Sequence, residues 1–190
     1  MKSKNIATLS IFAALTVALN LSPFKFPAPY APFLYYQIWE IPIVAAFALY
    51  GPLMAIAISV LNTLMLLALF PGALPTGPLY NLAAVIGMLL GMYLAHLTVR
   101  QRPISQRSTM LSLLATGLGM FFRVVVMTIV NWTFIRYPPP IGFSMPEEAI
   151  VAILPLVAVF NATLALYTIP IGYVLANAVS SGIKIGLWKP

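Results

Sequence analysis

Residues 78–98 read PLYNLAAVIGMLLGMYLAHLT, twenty-one positions without one Asp, Glu, Lys or Arg. As a helix, such a run is about 30 Å long, the thickness of a bilayer's hydrocarbon core. No water is present there to bond free backbone N–H and C=O groups, so the run is read as a membrane-spanning helix and not as open sheet. Working outward, further apolar runs occupy 6–22, 37–50, 52–71, 109–135 and 148–180. The fold expected is therefore all-α, an integral membrane bundle of about six transmembrane helices. The breaks between runs are too short to hold a second domain, so residues 1–190 are read as a single domain.

Two runs depart from the simple pattern. The run 37–50 is short for a full crossing and only Gly51-Pro52 separates it from the next, which predicts a tight turn at one membrane face. A five-span arrangement with a re-entrant piece is the alternative. The last run exceeds the length a span needs, which places its first part or its Gly182 end at an interface.

Composition agrees with a lipid solvent. Hydrophobic residues make up 62% of the chain and charged residues 7%, against about 25% charged in soluble domains. There is no cysteine, which excludes disulfides and thiolate metal sites. Lys2 and Lys4 precede an apolar stretch, but no small-residue cleavage site follows before Pro23, so this stretch is read as a first span rather than a signal peptide.

The net charge of +7 follows from membrane orientation. With six spans and a cytoplasmic N-terminus, Lys2, Lys4, Arg100, Arg102, Arg107, Lys184 and Lys189 fall on the cytoplasmic side, and only Lys25 and Arg136 fall outside. That bias is the positive-inside pattern of a multi-pass plasma-membrane protein with both termini cytoplasmic, and nucleic acid is not needed to explain the charge. The segments left outside, PFKFPAPYAPFLYY (23–36) and RYPPPIGFSMPEE (136–148), are rich in proline and aromatics. Prolines remove donors and fix the backbone, which predicts semi-rigid covers or an interfacial aromatic belt.

The few polar residues in this background carry the functional reading. Glu40 opens the second run, and an acid near hydrocarbon needs a partner or a wet cavity, so it is a functional candidate. Arg123, near the middle of the fifth run, must snorkel, pair with an acid or face a polar interior. Glu147 and Glu148 suit the N-terminal dipole of the last helix, with Ser144 as a cap. Asn62, Asn81, Asn131 and Asn161 lie in or beside apolar runs. Singly they read as helix-helix glue, while several converging amides would read the edge of a planar heterocycle. The single histidine, His96, reads as a satisfied interfacial residue. No metal-binding, acid-base or phosphate-loop pattern is present, so neither a catalytic residue nor a cofactor is expected and an enzymatic reading has no support.

The first run carries Ala14 and Ala18 at small-xxx-small spacing, which allows close approach of another helix. Together with APFLYYQIWEIP (31–42), YGP (50–52), TGPLYN (76–81), VMTIVNW (126–132) and the proline loop leading to FN (160–161), the chain resembles the S components of energy-coupling factor (ECF) vitamin transporters, and among them the riboflavin type. The resemblance covers nearly the whole chain. It implies a substrate site built from Glu40, Gln37, Trp39, Asn81, Asn131 and Asn161, with Tyr35, Tyr36, Trp39 or Trp132 stacking on the ligand. Riboflavin or a similar planar vitamin is the ligand it implies. The implied partners are a coupling membrane protein, contacted by Ala14 and Ala18, and two ATPase subunits. One departure bears on the ligand: riboflavin-type members place a lysine where this chain has Leu164, and Gln37 stands where an acid is common. The alternatives are an S component for another vitamin or precursor and, from a different class, a non-transporting membrane scaffold without a small-molecule pocket.

Overall fold

A computed structural model describes residues 3–69, 72, 74–99 and 104–189. Among these residues, six α-helices and one strand pair follow in the order α1 (Ser3–Leu21), β1 (Phe26–Ala28), β2 (Ala31–Tyr36), α2 (Ile41–Tyr50), α3 (Pro52–Leu69), α4 (Gly77–Val99), α5 (Ile104–Phe134) and α6 (Glu147–Ile183). The helices α3, α4, α5 and α6 are long and apolar enough to cross a membrane, whereas α1 and α2 are shorter apolar helices. Large hydrophobic side chains face outward along the bundle, among them Ile11, Leu53, Leu113 and Val174. Such a surface is stable against hydrocarbon and costly in water. Of the cations expected on the cytoplasmic side, Lys2, Arg100 and Arg102 lie outside the described residues, as do positions 70 and 71 of the third run.

The helix α2 has only 10 residues, about 15 Å of rise, and every side chain from Pro42 to Leu49 is buried. Pro42 sits in its first turn, where no intrahelical N–H is required. It ends at Gly51, whose φ of 90° is open to glycine, and Pro52 starts α3 at once. The expected tight turn is thus present, and α2 forms a central post wrapped by its neighbours. The close contact of α4 with α5 depends on glycine as well: a Cβ on Gly91 would collide with the Leu118 carbonyl.

The all-α expectation needs one correction. The proline-aromatic segment after α1 forms an antiparallel hairpin, pairing Phe26 with Tyr36 and Pro27 with Tyr35. Helix is closed to this segment by its prolines, while a two-stranded ribbon is all edge and tolerates them. The hairpin is anchored rather than loose. The Tyr36 hydroxyl lies 2.7 Å from Thr163 Oγ1 on α6 and 2.6 Å from the Tyr30 hydroxyl. The Tyr167 hydroxyl donates to the Gln37 carbonyl at 2.5 Å. Desolvation and then the bond to Tyr36 raise the Tyr30 hydroxyl above its ordinary value of 10.0, so it stays protonated at neutral pH.

The last helix, α6, runs unbroken for 37 residues with Pro155 and Pro170 inside it. Glu147 and Glu148 occupy its first turn, as the dipole argument expects. Ser144 is not its cap: Pro146 holds that position and no side chain caps the helix.

Candidate functional site

Three connections meet at one end of the bundle: the hairpin, the stretch leading into α4, and the loop between α5 and α6. The last two are tied by Thr76 donating to the Pro140 carbonyl at 2.5 Å and Tyr80 to the Ile141 carbonyl at 2.8 Å. Beneath them lies a cavity of about 530 Å³, within the range that encloses small organic ligands. Gln37, Trp39, Glu40, Asn81, Asn131 and Asn161 all line it. The six residues expected from the sequence, separated by up to 124 positions, therefore share one chamber.

Its floor is an ion pair. Glu40 stands at the N-cap position of α2 yet makes no capping bond. Its carboxylate turns instead to Arg123 on α5, receiving Nη1 on Oε2 at 2.5 Å and Nη2 on Oε1 at 2.9 Å. Both side chains are 3% exposed. The remaining guanidinium edge, Nε, donates to Asn161 Oδ1 at 2.9 Å, and Asn161 Nδ2 donates to the Val157 carbonyl at 2.9 Å. This bidentate fork neutralises both charges and fixes three helices, α2, α5 and α6, around one point. A buried pair of this kind is costly to assemble and costlier to leave half made.

The other amides are less committed. Asn131 Nδ2 donates to the Met127 carbonyl at 2.7 Å, which leaves its Oδ1 as the acceptor toward the cavity it lines. Two of the residues that line the cavity, Asn20 and Gln37, each hold a buried side-chain atom, Nδ2 and Oε1, without a hydrogen-bond partner. The unpaired Asn62 Oδ1 and Thr168 Oγ1 belong to residues that do not line it. Lys25 and the rings of Phe33, Tyr35, Trp39, Tyr80 and Phe143 complete the polar-aromatic lining.

Two expected stacking residues fall elsewhere. Trp132 does not line the cavity; it faces outward on α5 and carries Arg136 over its ring at 4.9 Å. It follows Asn131 by one residue, a rotation of about 100° on a helix, so the two cannot both point inward. Tyr36 packs under the hairpin against Phe160 and Tyr167 instead. Asn20 was not anticipated, because an asparagine one residue from a helix end reads as a terminal feature. Only its burial and missing partner distinguish it.

A second cavity, of about 340 Å³, lies at the opposite end beside His96, Tyr173 and Trp188. His96 is buried rather than interfacial, and its Nε2 lies 2.7 Å from the Tyr173 hydroxyl. Among the described residues no unpaired buried polar atom lines this cavity.

Ala14 and Ala18 sit away from both cavities. They lie on the exposed side of α1, whereas Ala13, Thr16 and Asn20 face the bundle.

No protein-family model matches the sequence, and no curated protein matches it. A solved structure does: the S component of a bacterial ECF transporter superposes with a TM-score of 0.74 at 21% identity, covering 97% of this chain and 99% of that one. The chain has the fold of that S component. At this level of identity the likeness concerns architecture, and the chemistry of the cavity must be argued from this chain's own residues.

Proposed function

We propose that this protein is the substrate-specific membrane subunit of an ECF transporter, a receptor and not an enzyme, that takes riboflavin or a similar planar, uncharged vitamin from outside the cell. The observation that carries the reading is the chamber under the anchored hairpin, with a self-neutralised ion pair as its floor and amides, aromatic rings and Lys25 as its walls. A cationic ligand would find no free carboxylate there. A planar heterocycle would find rings to stack on and amides to match its edge. A scaffold without a ligand gives no reason for such a chamber.

In this reading α3 to α6 cross the membrane, and α1 together with the chain that descends from the hairpin through the short α2 completes six passes, both termini being cytoplasmic. A coupling membrane protein docks on the exposed small face of α1, and two ATPase subunits supply the energy. Replacing Ala14 and Ala18 together by leucine is expected to abolish uptake in cells that supply those partners while leaving ligand binding by the purified protein intact. Equal loss of both activities would make the alanines ordinary packing residues.

The direct test is titration of the detergent-purified protein with riboflavin, followed by quenching of flavin fluorescence. Saturable binding is expected, weakened about tenfold in Asn131→Ala through loss of one acceptor. Absence of quenching by the folded protein would remove riboflavin. Leu164 favours a second reading in that event, the same receptor role with another vitamin. Its side chain lines the cavity and packs with Ala28, Ala31 and Phe160, so this wall presents hydrocarbon where riboflavin-type members present an ammonium group.

A further inference from the structure

The last turn of α2 leaves carbonyls that need donors from elsewhere. Continued as a helix, the chain would offer Ala48 the N–H of residue 52, but that residue is Pro52, which has none. The donor arrives from beyond α6, where the Trp188 N–H donates to the Ala48 carbonyl at 2.8 Å. The indole seats against Gly51, where a Cβ would come within 2.6 Å of its Nε1. Its ring centroid lies 5.6 Å from that of Phe47 and 5.1 Å from that of His96. The segment is also tied at its start: the Ile185 N–H donates to the Ser180 carbonyl at 3.2 Å, and Ser180 Oγ donates to the Ile185 carbonyl. Residues 184–189 are thus a strap fastened across the end of the bundle, and they give the cavity of about 340 Å³ a fixed wall.

Leu187, Trp188 and Lys189 line this cavity from the strap, and α4, α5 and α6 supply the rest of its lining. At its rim Val174 lines the cavity while 69% exposed. The cavity is therefore continuous with the outward hydrophobic surface of α6, to which Ile171 also belongs. No carboxylate lines it, no Asp or Glu follows Glu148 in the sequence, and Lys189 brings a positive charge. The helix α4 ends at Val99 and α6 at Ile183, which puts the rim at headgroup depth in a bilayer.

We propose that this cavity is a binding site for one anionic phospholipid, with acyl carbon against Val174 and Leu187 and the headgroup phosphate at Lys189. Apolar walls that open onto hydrocarbon suit an acyl chain, and a cation at the rim selects an anionic headgroup. A water-soluble anion would meet mostly hydrocarbon there. The lipid held against the strap braces α2, whose opposite end carries Glu40. The inference requires that the bundle lie in a bilayer, and it is independent of which molecule fills the other cavity.

The experiment uses the full chain carrying Trp132→Phe, which removes the outward-facing indole, in nanodiscs of phosphatidylcholine. Phosphatidylglycerol or phosphatidylcholine with dibrominated acyl chains is introduced stepwise while tryptophan fluorescence is read. Bromine quenches an indole on near contact, and Trp39 is 5% exposed and lines the other cavity, so the response belongs to Trp188. Quenching is expected to saturate, with its midpoint at about fivefold lower content of the brominated phosphatidylglycerol than of the brominated phosphatidylcholine. Adding Lys189→Gln, at an exposed position, is expected to erase that difference. Equal quenching by the two lipids before the substitution would mean ordinary boundary lipid and would overturn the proposal, as would the absence of quenching by either. A headgroup preference that survived Lys189→Gln would place the selection at another residue and overturn this site as well.

Discussion

Two sets of polar side chains share one cavity and behave in opposite ways. Glu40, Arg123 and Asn161 are joined by three hydrogen bonds of 2.5–2.9 Å, and each is buried. Asn20 and Gln37, which also line the cavity, each hold a buried atom without a hydrogen-bond partner. The buried charges are thus handled within the protein, where leaving them unpaired is most expensive, and the buried side-chain atoms left open among the lining residues belong to neutral amides. The difference teaches that the ion pair frames the cavity, and in the proposed receptor it leaves the amides as the expected reading surface. A substitution in the first set should act on folding, and one in the second on recognition.

The sharpest way to break this division is to remove half of the frame. Arg123→Met strands the Glu40 carboxylate among buried atoms and is expected to lower stability by about 3–5 kcal/mol, read as a large drop in the melting temperature of the detergent-purified protein. Adding Glu40→Gln to it removes the stranded charge, and most of the loss should return. If the single variant melts like wild type, the pair is dispensable and its charges are free for a ligand.

A smaller effect is expected at the lid. The Tyr36 hydroxyl lies within bonding distance of both Thr163 and Tyr30, so Tyr36→Phe should lower stability by about 1 kcal/mol and speed riboflavin release, measured by stopped-flow dilution. Unchanged release would mean that the hairpin is held by packing of Ala28, Ala31 and Leu34 on α6 and not by this hydroxyl.

Most of the frame was legible in the sequence because lipid leaves few options. Apolar runs marked the helices, Gly51-Pro52 marked the α2–α3 corner, and a lone acid and a lone cation in apolar runs marked themselves as needing partners. That they need each other was not legible: Glu40 and Arg123 are 83 residues apart, and only the packing of α2 against its neighbours brings them together. The hairpin was missed as a strand pair because proline suppresses both regular structures locally, and its pairing depends on the two halves meeting. Trp132 was misplaced because, without a helix phase, adjacent residues such as Asn131 and Trp132 cannot be assigned to opposite sides. The six residues that the resemblance to S components implied all line one cavity, whereas Asn20, which ends an apolar run and also lines it, was not among them.

The smallest expected change has the opposite sign from the others and so tests the comparison most directly. Gln37→Met keeps the length and much of the shape of the side chain but deletes an acceptor that nothing in the protein satisfies. Ligand-free stability should rise by about 0.5 kcal/mol, because the desolvated oxygen is gone and no protein hydrogen bond is lost. Riboflavin binding should weaken in the same variant, since the ligand loses the acceptor it would donate to. Stability and affinity moving apart is the signature of a group held in readiness for something outside the chain. If both fell together, Gln37 would belong with Glu40 and Arg123 as part of the frame, and the reading surface would shrink to Asn81 and Asn131.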